Sequence, residues 1–189
     1  MVYIMEFYVD GGCRRNGQSD AIGAAAACLM SRNGRVQATR TRNLDTEEYN
    51  ATSQRAEILA MIIALEWAIE KHDSFHGNPD MAVTIRSDSR YAVGCMSDWI
   101  YKWHENGWYN ARGVEVANRD LIEEASDLDD RVYDLGEIKY IYVPRAQNQD
   151  ADEACNDALD EQEQSTSGSG SSPSDTSSSD SSSFYGYYA

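Results

Sequence analysis

The chain has 189 residues, 41% of them hydrophobic and 25% charged, which is enough for one ordinary domain with a real core. Thirty-two Asp and Glu against sixteen Lys and Arg give a formal charge of −16. That excludes a uniformly basic domain gripping phosphates but not a binder whose few arginines are concentrated at one site.

Residues 3–9 alternate, with Tyr3, Met5, Phe7 and Val9 against Ile4, Glu6 and Tyr8. This is the period of a strand, which Asp10-Gly11-Gly12 is expected to stop. Residues 21–30 and 35–42 predict two more strands, joined by the turn Arg32-Asn33-Gly34. Thr52 or Ser53 then caps a helix whose stripe is Ile58, Ile62, Leu65 and Ile69. Residues 82–86 form a short strand broken at Ser87-Asp88-Ser89, followed by a Trp-rich helical stretch over about 89–104 and a loop over 105–115. A helix starting near Asn118 carries Leu121, Ile122, Ala125 and Leu128 on one face. Residues 138–143 make a fifth strand, and Ala151, Ala154, Cys155, Ala158 and Leu159 are the apolar face of a last helix. The order β-β-β-α-β-α-α-β-α predicts an α/β fold, a mixed sheet flanked by helices.

Composition changes near residue 160. Residues 161–183 offer no apolar side chain to bury, so the expected division is a folded domain over 1–160 and a disordered Ser/Asp-rich tail over 161–189. The closing FYGYYA reads as a sticky chain end, with a short docking peptide as the alternative. From Asp160 onward there are five acidic and no basic residues, which leaves an excess of eleven negative charges on the folded part. No apolar run approaches the roughly 18 residues of a membrane span. The N-terminus lacks the pattern of a signal peptide. Four cysteines without a C-x-x-C pair predict reduced thiols, hence a cytoplasmic or nuclear protein with no membrane association.

Three acidic residues fall at informative places: Asp10 at the end of the first strand, Asp88 just after the fourth, and Glu57 one turn into the first long helix. Asp152 opens the last helix. Carboxylates at the C-terminal ends of neighbouring parallel strands converge at the sheet edge. Such hard oxygen ligands suit Mg²⁺ or Mn²⁺ and not zinc. Two ions sharing carboxylates is an arrangement that splits phosphodiesters. Position alone leaves chance open among thirty-two acidic residues, and Asp152 by itself would complement a helix dipole.

Four segments carry a resemblance. Tyr8-Val9-Asp10-Gly11-Gly12-Cys13-Arg14-Arg15-Asn16-Gly17, with Gly23 following, resembles the opening of type 1 ribonuclease H of the cellular kind. Thr52-Ser53-Gln54-Arg55-Ala56-Glu57 is similar to that family's T-N-x-R-A-E helix start. Ser87-Asp88-Ser89, then Trp99, Trp103, Asn106-Gly107-Trp108 and Asn118, follow its third acidic motif and substrate-binding handle. Asn148-x-x-Ala151-Asp152 resembles its last motif.

The resemblance spans roughly residues 3–160 and implies a ribonuclease H-like fold, a five-stranded mixed sheet with helices on both faces. It implies that Asp10, Glu57, Asp88 and Asp152, with Gly11, hold two Mg²⁺ ions (or Mn²⁺), and that a monomer cuts the RNA strand of RNA/DNA hybrids, leaving 5′-phosphate and 3′-hydroxyl ends. By the same resemblance Asn16 and Gln54 read the minor groove and its 2′-hydroxyls. Thr52 and Asn118 form a DNA-phosphate pocket, and Tyr91 and Trp99 line the deoxyribose channel. Each has a plainer reading: Thr52 and Asn118 as helix caps, Trp99 and Trp103 as core, Gly11 and Gly12 as a turn.

The chain departs from the pattern in the loop Val143–Asn148, which lacks the His that many members carry; slower turnover or relaxed substrate choice is the expectation. The handle is poor in Lys, with Lys102, Arg112 and Arg119 its basic residues, and no N-terminal hybrid-binding module is expected before Met1. The readings left beside the nuclease are a catalytically silent domain that binds nucleic acid or protein, and a nuclease for double-stranded RNA.

Overall fold

The structure is a computed structural model and describes residues 2–167. Five strands, β1 (Val2–Arg14), β2 (Ile22–Met30), β3 (Val36–Asn43), β4 (Asp80–Ser87) and β5 (Gly136–Tyr142), form one sheet in the order β3-β2-β1-β4-β5. β1, β2 and β3 are antiparallel neighbours, while β4 runs parallel to β1 and β5 parallel to β4. The α-helices among the described residues are α1 (Ser53–Asp73), α2 (Arg90–Gly94), α3 (Ile100–Asn106), α4 (Arg119–Leu135) and α5 (Gln149–Ser167). A π-helical turn, Cys95–Trp99, joins α2 to α3, so the expected Trp-rich helix is three short pieces.

β2 explains why helices cover both faces. Its side chains alternate between two apolar clusters: Ala25, Ala27 and Leu29 join the large core with α1, whereas Ile22, Ala24 and Ala26 pack with Cys155, Ala158 and Leu159 of α5. A strand buried on both sides loses polar positions, hence the run of alanines. α1 is more deeply placed than its expected stripe suggested, because every residue from Ile58 to Leu65 is buried between the sheet and its neighbours. It begins where Thr52 Oγ1 accepts from Arg55 N at 3.2 Å. Thr52→Ala should lower stability by about 1 kcal/mol; thermal melts would read the loss, and Thr52→Ser should recover most of it.

Two expectations about boundaries are corrected. Asp10-Gly11-Gly12 does not stop β1, which continues through Arg14 with Gly11 opposite Ala25 and Gly12 opposite Ala24. These glycines serve close packing and not a turn. A Cβ on Gly11 would lie 2.1 Å from the Ala56 carbonyl carbon, and one on Gly12 would lie 2.9 Å from Leu159 Cδ1. At the other end, α5 runs to Ser167, past the expected boundary at 160. The helix is already nucleated by its packed turns, and Glu and Gln propagate it at little cost. The rest of the tail reading, including FYGYYA, lies outside the described residues. No helix among the described residues is long and apolar enough to cross a membrane.

Candidate active site

The parallel pair β1 and β4 sets Asp10 and Asp88 side by side: Val9 is in register with Ser87, so the residue after each falls at the same edge of the sheet. The Gly11–Ala56 approach brings the start of α1, and with it Glu57, against that edge. One carboxylate oxygen from each of Asp10, Glu57 and Asp88 lies within 4.8 Å of the others. They line a cleft of about 390 Å³ together with Gly11, Arg14, Arg145 and Asp152.

The carboxylates carry a large electrostatic burden. Burial, then the charges of Asp88 and Asp152, pushes the Asp10 carboxyl up to about 7. Burial, then Asp10 and Asp88, pushes Glu57 up to about 9. Glu57 Oε2 is buried and accepts no hydrogen bond. An orphaned acceptor beside two further carboxylates is what a divalent cation would satisfy, and an all-oxygen donor set suits a hard ion. The residues present fit a divalent metal.

Asp152 stands slightly apart from the three. It is paired with Arg145, from the short 3₁₀ turn Arg145–Gln147 in the loop that lacks His. The Arg145 guanidinium is exposed, lines the same cleft and is held in its charged form chiefly by Asp152. Asn148 is fully buried, and its Nδ2 donates to Val9 O at 3.0 Å and to Asp88 Oδ1 at 3.1 Å. It thereby ties the start of α5 to the middle of β1 and fixes the Asp88 carboxylate. Neither Arg145 nor Asn148 receives a role from the sequence pattern. An Asn one turn before the last acidic residue was the available signal.

The expected nucleic-acid contacts divide. Asn118 has φ 60° and makes no side-chain cap, so the capping reading fails; its Nδ2 donates instead to Tyr91 Oη at 3.0 Å. Thr52 does cap α1. The starts of α1 and α4 are joined by Arg55, whose buried guanidinium makes a fork with Asp120 at 2.8 and 2.6 Å. Thr52 and Asn118 therefore flank a common clamp. Asn16 and Gln54 are exposed at the ends of the β1–β2 turn and of α1. Tyr91, Trp99, Trp103 and Trp108 form a chain of rings with successive centroids 6.2, 5.9 and 6.3 Å apart. Trp99 is 38% exposed, so the core reading fails for it, whereas Trp103 is half-buried and packs against the core, beside the buried Trp108.

Several arginines that could oppose the acidic field are already engaged. Arg14 pairs with Asp160 and Glu163, Arg15 with Glu163 and Asp20, and Arg86 with Glu6, while Arg90 stacks on Tyr142.

A β1–β4 parallel pair inside a β3-β2-β1-β4-β5 sheet, with carboxylates at its edge and helices on both faces, defines a ribonuclease H-like α/β domain. The sequence pattern of the RNase H family matches residues 3–160. The chain belongs to that family, on its type 1 branch. Ribonuclease H of Schizosaccharomyces pombe is 35% identical over 133 residues, covering 70% of this chain and 44% of that protein. Ribonuclease H of Anaeromyxobacter dehalogenans is 39% identical over 104 residues, 54% of this chain and 49% of its own length. The chain thus spans about half of these two relatives. Ribonuclease H of Francisella tularensis subsp. novicida is 31% identical over 155 residues, covering 82% of this chain and 90% of that one. Among solved structures, RNase H1 from the archaeon Halobacterium salinarum superposes with a TM-score of 0.56 at 25% identity, over 84% of this chain and 99% of the other.

Proposed function

We propose that the protein is a divalent-metal-dependent endonuclease that hydrolyses the RNA strand of RNA/DNA hybrids, leaving 5′-phosphate and 3′-hydroxyl ends. The observation that carries this reading is the convergence of Asp10, Glu57 and Asp88 around a buried, unsatisfied Glu57 Oε2. A silent binding domain has no use for three carboxylates whose mutual repulsion and burial oppose ionisation. Membership of the RNase H family and the near full-length match to the Francisella tularensis protein support the same reading.

Asp10, Glu57 and Asp88, with Asp152 and the Gly11 backbone, would hold two Mg²⁺ ions, for which Mn²⁺ could substitute. Bound there, such ions supply a more acidic water and charge neutralisation at the phosphorus and at the departing 3′ oxygen. The protein's own groups do the orienting. Asn148 holds the Asp88 carboxylate by donating to Oδ1. Arg145 offsets the charge of Asp152 at the cleft mouth. Thr52 and Asn118 bind a DNA-strand phosphate between the clamped starts of α1 and α4, Tyr91 and Trp99 pack the deoxyriboses, and Asn16 and Gln54 meet the 2′-hydroxyls across the minor groove. The catalytic unit ends with α5 and acts as a monomer, and the cysteines, free among the described residues, fit a reducing cytoplasm or nucleus.

The test is cleavage of end-labelled RNA/DNA hybrid, double-stranded RNA and double-stranded DNA, each with Mg²⁺, Mn²⁺ or chelator. The expected result is metal-dependent nicking of the RNA strand of the hybrid alone. An intact hybrid, or cutting that survives chelator, overturns the proposal. Comparable cutting of double-stranded RNA would replace the hybrid with the relaxed substrate choice that the His-free loop suggested.

A further inference from the structure

α5 packs across the C-terminal half of β1 and across β2. Asp10, Gly12 and Arg14 alternate onto the face of β1 that α5 covers, and Cys155 and Leu159 of α5 sit against Gly12. One helix therefore presents Asp152 near the carboxylate cluster at one end and Asp160 and Glu163 to Arg14 and Arg15 at the other. Arg14 lies about 13 Å along the strand from Asp10 at roughly 3.3 Å per residue, and it lines the same cleft as the carboxylates. Arg15 is the turn residue beside Asn16, held with φ 54° and forked between Asp20 and Glu163. Glu163 lies past residue 160, where the family match ends.

We infer that Asp160 and Glu163 are an intramolecular competitor for nucleic-acid phosphates at Arg14 and Arg15, a brake on substrate binding built into the last turns of α5. The inference rests on the proposed hybrid substrate. The strength of the brake follows from exposure. The Asp160 side chain is 56% exposed, and that of Glu163 34%. Solvent-accessible pairs of this kind are weak and screened by salt. A duplex backbone offers the two guanidiniums equivalent anionic oxygens at higher charge density. Phosphates thus displace the two carboxylates without unfolding anything, at a cost in affinity, while kcat is untouched. The carboxylates also keep Arg14 and Arg15 from gripping non-substrate polyanions at low salt.

The experiment compares the full-length protein with D160N/E163Q, and with D127N/D134N as a control that removes the same charge from the exposed side of α4. Hybrid dissociation constants are measured in chelator across a salt series, and KM and kcat with Mg²⁺. Retention on heparin gives a readout that needs no cleavage. D160N/E163Q should bind hybrid about three- to tenfold tighter at low salt, elute later from heparin and show a salt slope steeper by about two, since each newly engaged phosphate adds about 0.9. KM should fall and kcat stay constant. R14A/R15A added to that background should erase the gain. Unchanged affinity and slope overturn the inference, and so does an equal gain in D127N/D134N, which would mean bulk charge alone. Weaker binding by D160N/E163Q, or by E163Q alone, also overturns it, because the pairs would then brace the Asn16 turn for substrate. If the wild type fails to cut hybrid, the proposed function falls, while the heparin comparison still decides the brake.

Discussion

Asp88→Asn is expected to lower metal-dependent cleavage of hybrid at least about a thousandfold, roughly 4 kcal/mol of barrier, without destabilising the metal-free protein. The amide keeps the shape of the carboxylate, and its oxygen still accepts from Asn148 Nδ2, which now reaches Asp88 Oδ1 at 3.1 Å. What disappears is a negative charge that helps to push both Asp10 and Glu57 upward. The substitution therefore removes a metal ligand's charge and relieves repulsion in the empty cluster at the same time. Initial rates with Mg²⁺ and melting temperatures in chelator separate this from a purely structural role. A variant that melts earlier and cuts normally in its folded fraction would show that Asp88 merely shapes the chain after β4.

The second large effect is a pH dependence that metal should erase. In the metal-free chain, burial and neighbouring carboxylates raise Glu57 from 4.5 to about 9 and Asp10 from 3.8 to about 7. The folded state therefore holds protons that the unfolded chain has released. Stability from these two groups is fully present below about pH 4 and is lost as pH rises, through about 7 for Asp10 and about 9 for Glu57. A tenfold difference in proton affinity between folded and unfolded states corresponds to about 1.4 kcal/mol, so the metal-free protein should lose several kcal/mol between pH 5 and 9. Saturating Mg²⁺ binds only the ionised cluster and should restore the loss at the alkaline end. Denaturant titrations at pH 5, 7 and 9, with Mg²⁺ or chelator, give the comparison, and Glu57→Gln should flatten the chelator curve. A metal-free protein as stable at pH 9 as at pH 5, after allowing for that variant, would mean that the carboxylates are not crowded in solution.

Much of the site was legible because its carboxylates sit in places where packing alone would not put them. Asp10, Glu57 and Asp88 stand out as acidic residues at the ends of apolar elements, and they do converge. The element order is equally plain, since hydrophobic alternation and the Thr52 cap are local signals. The misreadings share another origin. Gly11 and Gly12 look like a turn because nothing local tells that Ala56 and Leu159 approach them from distant parts of the chain. Asn118 looks like a cap because its partner, Tyr91, is 27 residues away. The final helix looks finished at 160 because composition registers the loss of apolar residues and not the ion pairs with Arg14 and Arg15 that the following turn makes. Arg145 lies in a loop read only for its missing His, and its pairing with Asp152, seven residues on, has no local signal.

The hydrogen bonds of Asn148 tie the order of synthesis to the acquisition of chemistry. Its buried amide joins Val9 to Asp88 across 139 and 60 residues of chain. β1, β4 and α1 can all have left the ribosome while Asp88 still lacks its anchor and β1 lacks the cover of α5. Contacts of such long sequence separation form late, because the loop must close before they stabilise anything. A nascent chain therefore carries Asp10, Glu57 and Asp88 without an assembled centre until Asn148 and α5 have emerged. The carboxylate centre comes into being only when α5 docks, so its assembly reports completion of the domain.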